Sequence, residues 1–312
     1  MAEMIINEIP IYPGDNKLIR LNISRLPSGT EINIPIHVFR ATEPGPVLLL
    51  MAGMHGDEVN GVETIRRMVR RRMLQPHRGT ILAIPILNIY GFLNFSREVP
   101  DGKDVNRSFP GNPTGSLASR VAARFTQEVL PLVDFGIDFH TGGASRSNFP
   151  QIRCELEDEQ SEAMAHAFGA PFILNSKLRP GSLREEASKH GKSIIVYEAG
   201  ESLRFDETSI NTALEGTARV MHHLGIIDNS VPVSHPPVVC RKTTWIRARR
   251  AGLFRSFVKN GQAISRGQQV GTVADPFGYA SHPITSHVSG YVIGLNHMPV
   301  VNQGDAILHI GY

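Results

Sequence analysis

Ile32, Ile34 and Ile36 alternate with polar or proline positions, the two-residue period of a strand with one buried face. Turn signals at Pro13-Gly14 and Pro27-Ser28-Gly29 bound this and neighbouring runs, so the first forty residues are predicted to pair as short strands at a sheet edge. The unbroken apolar run from Pro46 to Ala52 predicts a strand buried on both faces, ended by Gly53. Val62, Ile65, Met68 and Val69 then recur at three- and four-residue spacing, which predicts a helix. A second buried strand covers Thr80 to Leu87. Between Asn88 and Pro113 periodicity gives way to a long, turn-rich loop of the kind kept for function. Beyond it the pattern predicts a helix from Leu117 to Leu132, a strand from Asp134 to His140, and a helix from Glu157 to Phe168. A strand from Ser193 to Glu198 and a helix from Ser209 to Leu224 follow. Strands alternating with helices indicate a three-layer α/β domain.

The pattern changes near Val231-Pro232, where Pro236-Pro237 follows and helical periodicity does not resume. Two domains are therefore expected, 1–230 and 231–312. Glycines separate short β-rich runs in the second, as in a small barrel or sandwich. A carrier protein built on such a domain would need a lysine at a hairpin tip. The predicted hairpin from Val270 to Ala280 holds Asp275, Pro276, Phe277 and Gly278 and no lysine.

Composition narrows the classes. A chain of 312 residues can bury a sizeable core, and 32 basic against 29 acidic residues leave a formal charge of only +3. The clusters Arg66-Arg67-Met68-Val69-Arg70-Arg71-Arg72 and Arg247-Ala248-Arg249-Arg250 lack interleaved aromatic residues and read as solvated surface, so no nucleic-acid partner is expected. Cys154 and Cys240 stand alone, outside any paired spacing, which argues against a disulfide scaffold or a thiolate metal site. No basic leader precedes a long apolar stretch and no run reaches membrane-spanning length. A cytoplasmic protein with no membrane partner is the expectation, and a homo-oligomer stays open.

Polar groups at strand ends carry the candidate chemistry. His55 and Glu58, in Gly53-Met54-His55-Gly56-Asp57-Glu58, follow the first buried strand, where open α/β sheets place ligands. An imidazole and a carboxylate suit zinc. The same residues could equally form a helix start, with Asp57 and Glu58 facing its positive end. His140 ends a strand on which Asp138 shares its face, and an aspartate there is costly without a partner. A hydrogen-bonded core histidine is the alternative for His140. Two histidines and one carboxylate would leave zinc an open position, the mark of a catalytic site. Glu198, half desolvated at the end of Ile194-Ile195-Val196-Tyr197, could accept and return a proton, or could be a strand-end carboxylate paired with a surface base. In the long loop Arg97 offers a guanidinium to an oxyanion, and Asp104-Val105-Asn106-Arg107 offers donors to a substrate carboxylate, unless the loop is merely solvated.

Together, His55-Gly56-Asp57-Glu58, Arg97, Asp104-Val105-Asn106-Arg107-Ser108-Phe109-Pro110-Gly111, Asp138-Phe139-His140 and Glu198-Ala199-Gly200 resemble the succinylglutamate desuccinylase and aspartoacylase family, relatives of the zinc carboxypeptidases. The motifs span most of residues 46 to 225. The resemblance implies a zinc-carboxypeptidase-like α/β/α domain with a mixed sheet, followed by a small β-domain resembling a biotinyl or lipoyl carrier. It implies one zinc ion on His55, Glu58 and His140, with Glu198 as general base and acid and Arg97 polarising the scissile carbonyl. Asn106 and Arg107 would hold a substrate carboxylate, and Asp104 would accept a hydrogen bond from His55. Thr141-Gly142 after the third ligand, and no tyrosine between Asn175 and Lys192, depart from the peptidase pattern. The resulting expectation is a zinc-dependent deacylase of small N-acyl amino acids. A zinc carboxypeptidase or peptidoglycan-fragment amidase is the alternative.

Overall fold

The computed structural model describes residues 4–312. Among the described residues, thirteen strands form one large mixed sheet. Its main path runs Thr243–Arg247, Ala306–Gly311, Gly290–Asn296, Arg146–Cys154, Ser193–Glu201, Phe135–Gly142, Glu43–Met51, Arg78–Ile84, Glu31–Arg40 and Asn16–Arg25. The centre is parallel, with Ser193–Glu201 beside Phe135–Gly142, that strand beside Glu43–Met51, and Glu43–Met51 beside Arg78–Ile84. The fold is mixed α/β.

Alternation along the central strands divides the core in two. Leu49 and Met51 pack with Ile34, Ile36, Val121 and Phe125 on one face. Leu48 and Leu50 pack with Ile65, Met68, Phe168 and Ile210 on the other. Helix Leu117–Glu128 covers the first face, and Val59–Arg70, Glu159–Phe168 and Glu207–His223 cover the second. Ile32, Ile34, Ile36 and Val38 are buried while their neighbours are partly exposed, and their strand pairs with the edge strand Asn16–Arg25.

Several boundaries differ from the sequence expectation. The helix expected to reach Leu132 ends at Glu128, and a 3-10 turn at Leu130–Leu132 follows, because Pro131 has no N–H to continue the ladder. The loop 88–113 carries a short helix, Ile89–Leu93, and a 3-10 turn, Val105–Arg107. Three elements went unforeseen: the strands Arg146–Cys154 and Phe172–Asn175 and the helix Leu183–Lys189.

The C-terminal segment builds antiparallel sheets. Ser281–Thr285, Gln269–Ala274, Gly252–Ser256 and Val300–Val301 form a four-stranded sheet over a separate cluster that includes Val270, Val273, Ile307 and Ile310. The segment is also hydrogen-bonded into the large sheet. Val238–Cys240 pairs with Phe172–Asn175, and Gly290–Asn296 pairs with Arg146–Cys154. The end of the chain therefore reaches the strands that carry the candidate site.

Candidate metal centre and its cleft

Met51 ends its strand in register with Asp138, and Glu198 pairs directly with His140 across the parallel ladder. The turn after Met51 thus opens beside His140 at the carboxyl ends of the parallel strands. Gly53 takes a positive φ of 61°, and Gly56 lies so close to the Gly91-Phe92 peptide that a Cβ would sit 1.8 Å from the Gly91 carbonyl carbon. Only glycine allows that approach. The turn brings His55 and Glu58 back over the sheet.

Glu58 stands at the N-cap of Val59–Arg70 but makes no side-chain cap bond. Its carboxylate instead faces the sheet. Oε1 lies 2.7 Å from His55 Nδ1, and Oε2 lies 2.9 Å from His140 Nδ1 and accepts from the Thr141 N–H at 3.0 Å. The three side chains are buried, and their donor atoms lie within 4.8 Å of one another, a group that could hold a metal ion. Two imidazoles and one carboxylate fit zinc in donor chemistry.

The outer partners follow from alternation and from the loop. Asp138, two residues before His140 on the same face, places Oδ2 2.8 Å from His140 Nε2. Asp104 Oδ1 lies 3.3 Å from His55 Nε2 without the alignment of a hydrogen bond. Asp104 also accepts from Arg97 at 2.8 Å and from the Asn106 N–H at 2.8 Å. Burial pulls the His140 imidazole down, but the Asp138 and Glu58 carboxylates outweigh it and hold it well above its ordinary value. His55 is raised in the same way, burial being outweighed by Glu58 and Asp104. Burial pushes Glu58 up, and the two histidines reverse this and hold it well below the usual carboxylate range.

A cleft of about 280 Å³ opens over this group, lined by His55, Glu58, Arg97, Asn106, Arg107, His140 and Glu198 together. Asp104 supports it from behind through Arg97. Arg97 reaches inward, with one guanidinium nitrogen 3.2 Å from His55 Nδ1 and 3.6 Å from Glu58 Oε1. Asn106 Oδ1 accepts from the Leu183 N–H at 3.0 Å, which ties the loop to helix Leu183–Lys189, and Arg107 donates to the Asn106 carbonyl. Burial together with Arg179 and Arg97 lowers the Arg107 guanidinium, against the pull of Asp104.

Sequence reasoning did not single out Asn148, Arg146, Arg153, Arg184 and Trp245, which also line the cleft. Four come from unforeseen elements and the fifth from the C-terminal segment. The sequence marks Asp138 as an aspartate in need of a partner, and strand alternation names His140, two residues on, as that partner.

The family model of the succinylglutamate desuccinylase/aspartoacylase catalytic domain matches residues 44–224. The chain belongs to this family. A relative named N-alpha-acetyl-L-2,4-diaminobutyric acid deacetylase, from Halomonas elongata, is 28% identical over 290 residues, covering 88% of this chain and 84% of the relative. A family structure from Rhodobacter sphaeroides, a succinylglutamate desuccinylase/aspartoacylase, superposes with a TM-score of 0.82 at 25% identity, covering 96% of each chain. The product-bound ectoine utilization protein of Ruegeria pomeroyi has a TM-score of 0.84 at 23% identity, covering 99% of this chain and 98% of that one, a likeness of fold. The family match spans every motif residue from His55 to Glu198. Among the described residues no helix is long and apolar enough to cross a membrane.

Two measurements test the centre. Asp138→Asn should weaken metal affinity about 10- to 100-fold, more than Asp104→Asn, because Asp138 alone is aligned on its histidine. A chelator competition giving equal affinities for Asp138→Asn and the wild type would contradict this. Metal binding also requires neutral imidazoles, and the carboxylates around His55 and His140 favour their protonated forms in the metal-free protein. Affinity should therefore rise with pH through the neutral range, with protons released on binding. Affinity independent of pH would contradict the pairing.

Proposed function

We propose that the protein is a zinc-dependent deacylase that hydrolyses the amide bond of a small N-acyl amino acid, with Glu198 as general base and acid. The observation that carries the proposal is the buried His55-Glu58-His140 group with Glu198 in register beside His140 in one small cleft. The relatives support amide-bond hydrolysis of small N-acyl amino acids: the family's own name joins a desuccinylase and an aspartoacylase, and the Halomonas relative is a deacetylase.

Zinc held by His55, Glu58 and His140 would supply Lewis acidity and lower the pKa of a coordinated water to about 7. Glu198 then takes a proton from the attacking water as the new C–O bond forms. It returns that proton to the amine nitrogen as the C–N bond breaks, and ends as it began, a carboxylate. Arg97, held by Asp104 at 2.8 Å, can donate to the carbonyl oxygen as negative charge collects there. Arg107 and the Asn106 amide border the same cleft and suit the carboxylate of an amino acid.

The size of the cleft favours a small substrate over the peptidase or peptidoglycan-amidase alternative. About 280 Å³ lies just below the usual range of ligand-site volumes, roughly 300–1,000 Å³. A carrier role has no support in the C-terminal hairpin, whose strands Gln269–Ala274 and Ser281–Thr285 and intervening turn contain no lysine. We place the protein in the cytoplasm, a reading supported by Cys154 and Cys240, both buried and unpaired.

Zinc-loaded protein should hydrolyse members of a panel of N-acetyl, N-succinyl and N-formyl amino acids and leave short peptides intact. Glu198→Gln should stay folded, keep its metal and lose about 10²- to 10⁴-fold in turnover. Near wild-type turnover by that variant, or cleavage of peptides in preference to the panel, would overturn the proposal.

A further inference from the structure

Both carboxylate oxygens of Glu198 are engaged by the protein. Oε2 accepts a hydrogen bond from Asn148 Nδ2 at 2.6 Å, and Oε1 lies 3.1 Å from a guanidinium nitrogen of Arg153. Both partners stand on the neighbouring antiparallel strand Arg146–Cys154, where Arg153 pairs with Val196 and Asn148 with Gly200. They grip the carboxylate from the residues before and after it in register. Arg153 forms an ion pair with the carboxylate without the alignment of a hydrogen bond, and the short bond from Asn148, charge-assisted by its acceptor, supplies the direction.

A free glutamate side chain at a strand end samples several rotamers. A proton relay tolerates little of that freedom, since a misplacement of about 1 Å can cost about 10²-fold in rate. Two ties from a neighbouring strand select one pose.

Asn148 is in turn set from its other side. Its register partner there is Gly294, on the C-terminal strand Gly290–Asn296. A Cβ at Gly294 would sit 3.0 Å from Asn148 Oδ1 and 3.2 Å from the His309 Cβ, so a side chain added here would press on Asn148 and displace it by a few tenths of an ångström. His309 stacks on Trp245 at 4.3 Å with the rings 4° apart. Burial, with Arg153 and Arg179 nearby, holds His309 down to about 3, so it brings no charge to rival Arg153.

We propose that Asn148 and Arg153 are positioning residues that hold Glu198 in its proton-transferring pose, and that the C-terminal strand Gly290–Asn296 sets that pose through Gly294. The assignment rests on Glu198 being the base. It gives the segment beyond the family-matched residues 44–224 a part in the chemistry.

Steady-state kinetics on zinc-loaded variants, with an N-acetyl amino acid that the wild type hydrolyses, test it. Asn148→Ala and Arg153→Met should each lower kcat about 10- to 100-fold with KM nearly unchanged. Arg153→Lys should recover part of the loss. Metal content should stay at the wild-type level, as should the substrate-induced change in emission of Trp245, the only tryptophan and a cleft residue. In a Glu198→Gln background Asn148→Ala should cost nothing further, the mark of residues acting as a unit. Gly294→Ala should lower kcat in the wild type and not in Asn148→Ala. The clamp is overturned if Glu198→Gln is inactive while the Asn148 and Arg153 variants turn over normally, raise only KM, or multiply their losses with Glu198→Gln. The role of the C-terminal strand is overturned if Gly294→Ala leaves kcat unchanged. Near wild-type turnover by Glu198→Gln alone removes the base assignment itself, a separate outcome.

Discussion

A carboxylate taken fully out of water has to be answered by charge or hydrogen bonds, because its uncompensated burial costs several kcal/mol. Glu58 is that carboxylate, and the rest of the site is arranged around it. His55, His140 and the Thr141 N–H converge on its two oxygens, and Arg97 stands 3.6 Å away. Each imidazole turns its other nitrogen toward a further carboxylate, Asp138 or Asp104. With both imidazoles neutral, the carboxylates of Glu58, Asp138 and Asp104 outweigh the single guanidinium of Arg97, a setting that favours a cation at the centre.

The fold meets this demand with few devices. Parallel register puts Glu198 beside His140 and Asp138 beside Met51. The close approach of Gly56 to the Gly91-Phe92 peptide fixes the turn that carries His55 and Glu58. The loop between Asn88 and Pro113 then closes one side, with Asp104 holding Arg97 and Asn106 tied to Leu183. The opposite wall comes from Arg146–Cys154 and from Trp245, which lies under the Arg146 guanidinium at 5.7 Å. Residues far apart in sequence thus reach one cleft through sheet pairing.

What could be read from the sequence follows from what periodicity can carry. The strands Glu43–Met51 and Ser193–Glu201 announce themselves as apolar runs because both faces are covered. His55, Glu58, His140 and Glu198 were legible because each stands at or just beyond the end of such a run. Arg146–Cys154 was not, since arginine and asparagine line its cleft side and Pro150 interrupts it, a residue that argues against an interior strand. Its partners on both sides supply what its own sequence lacks. For the same reason the clamp on Glu198 was hidden, while Asp138 was visible as a costly buried aspartate whose partner lay two residues away. Glu58 shows the converse case: a helix-start carboxylate facing the positive end of the helix is the alternative its position allows, and tertiary contacts turn it to the histidines instead.

The chemistry of the cleft depends on His55, Glu58 and His140 binding a metal as a unit. Elemental analysis of purified protein after zinc loading and exhaustive dialysis addresses this directly, with wild type, His55→Ala, Glu58→Gln and His140→Ala compared at equal folded content by circular dichroism. About one equivalent of zinc per chain is expected in the wild type, and little should be retained by any of the three variants. Folded variants that keep a stoichiometric, tightly bound metal, or a wild type that retains none, would contradict it.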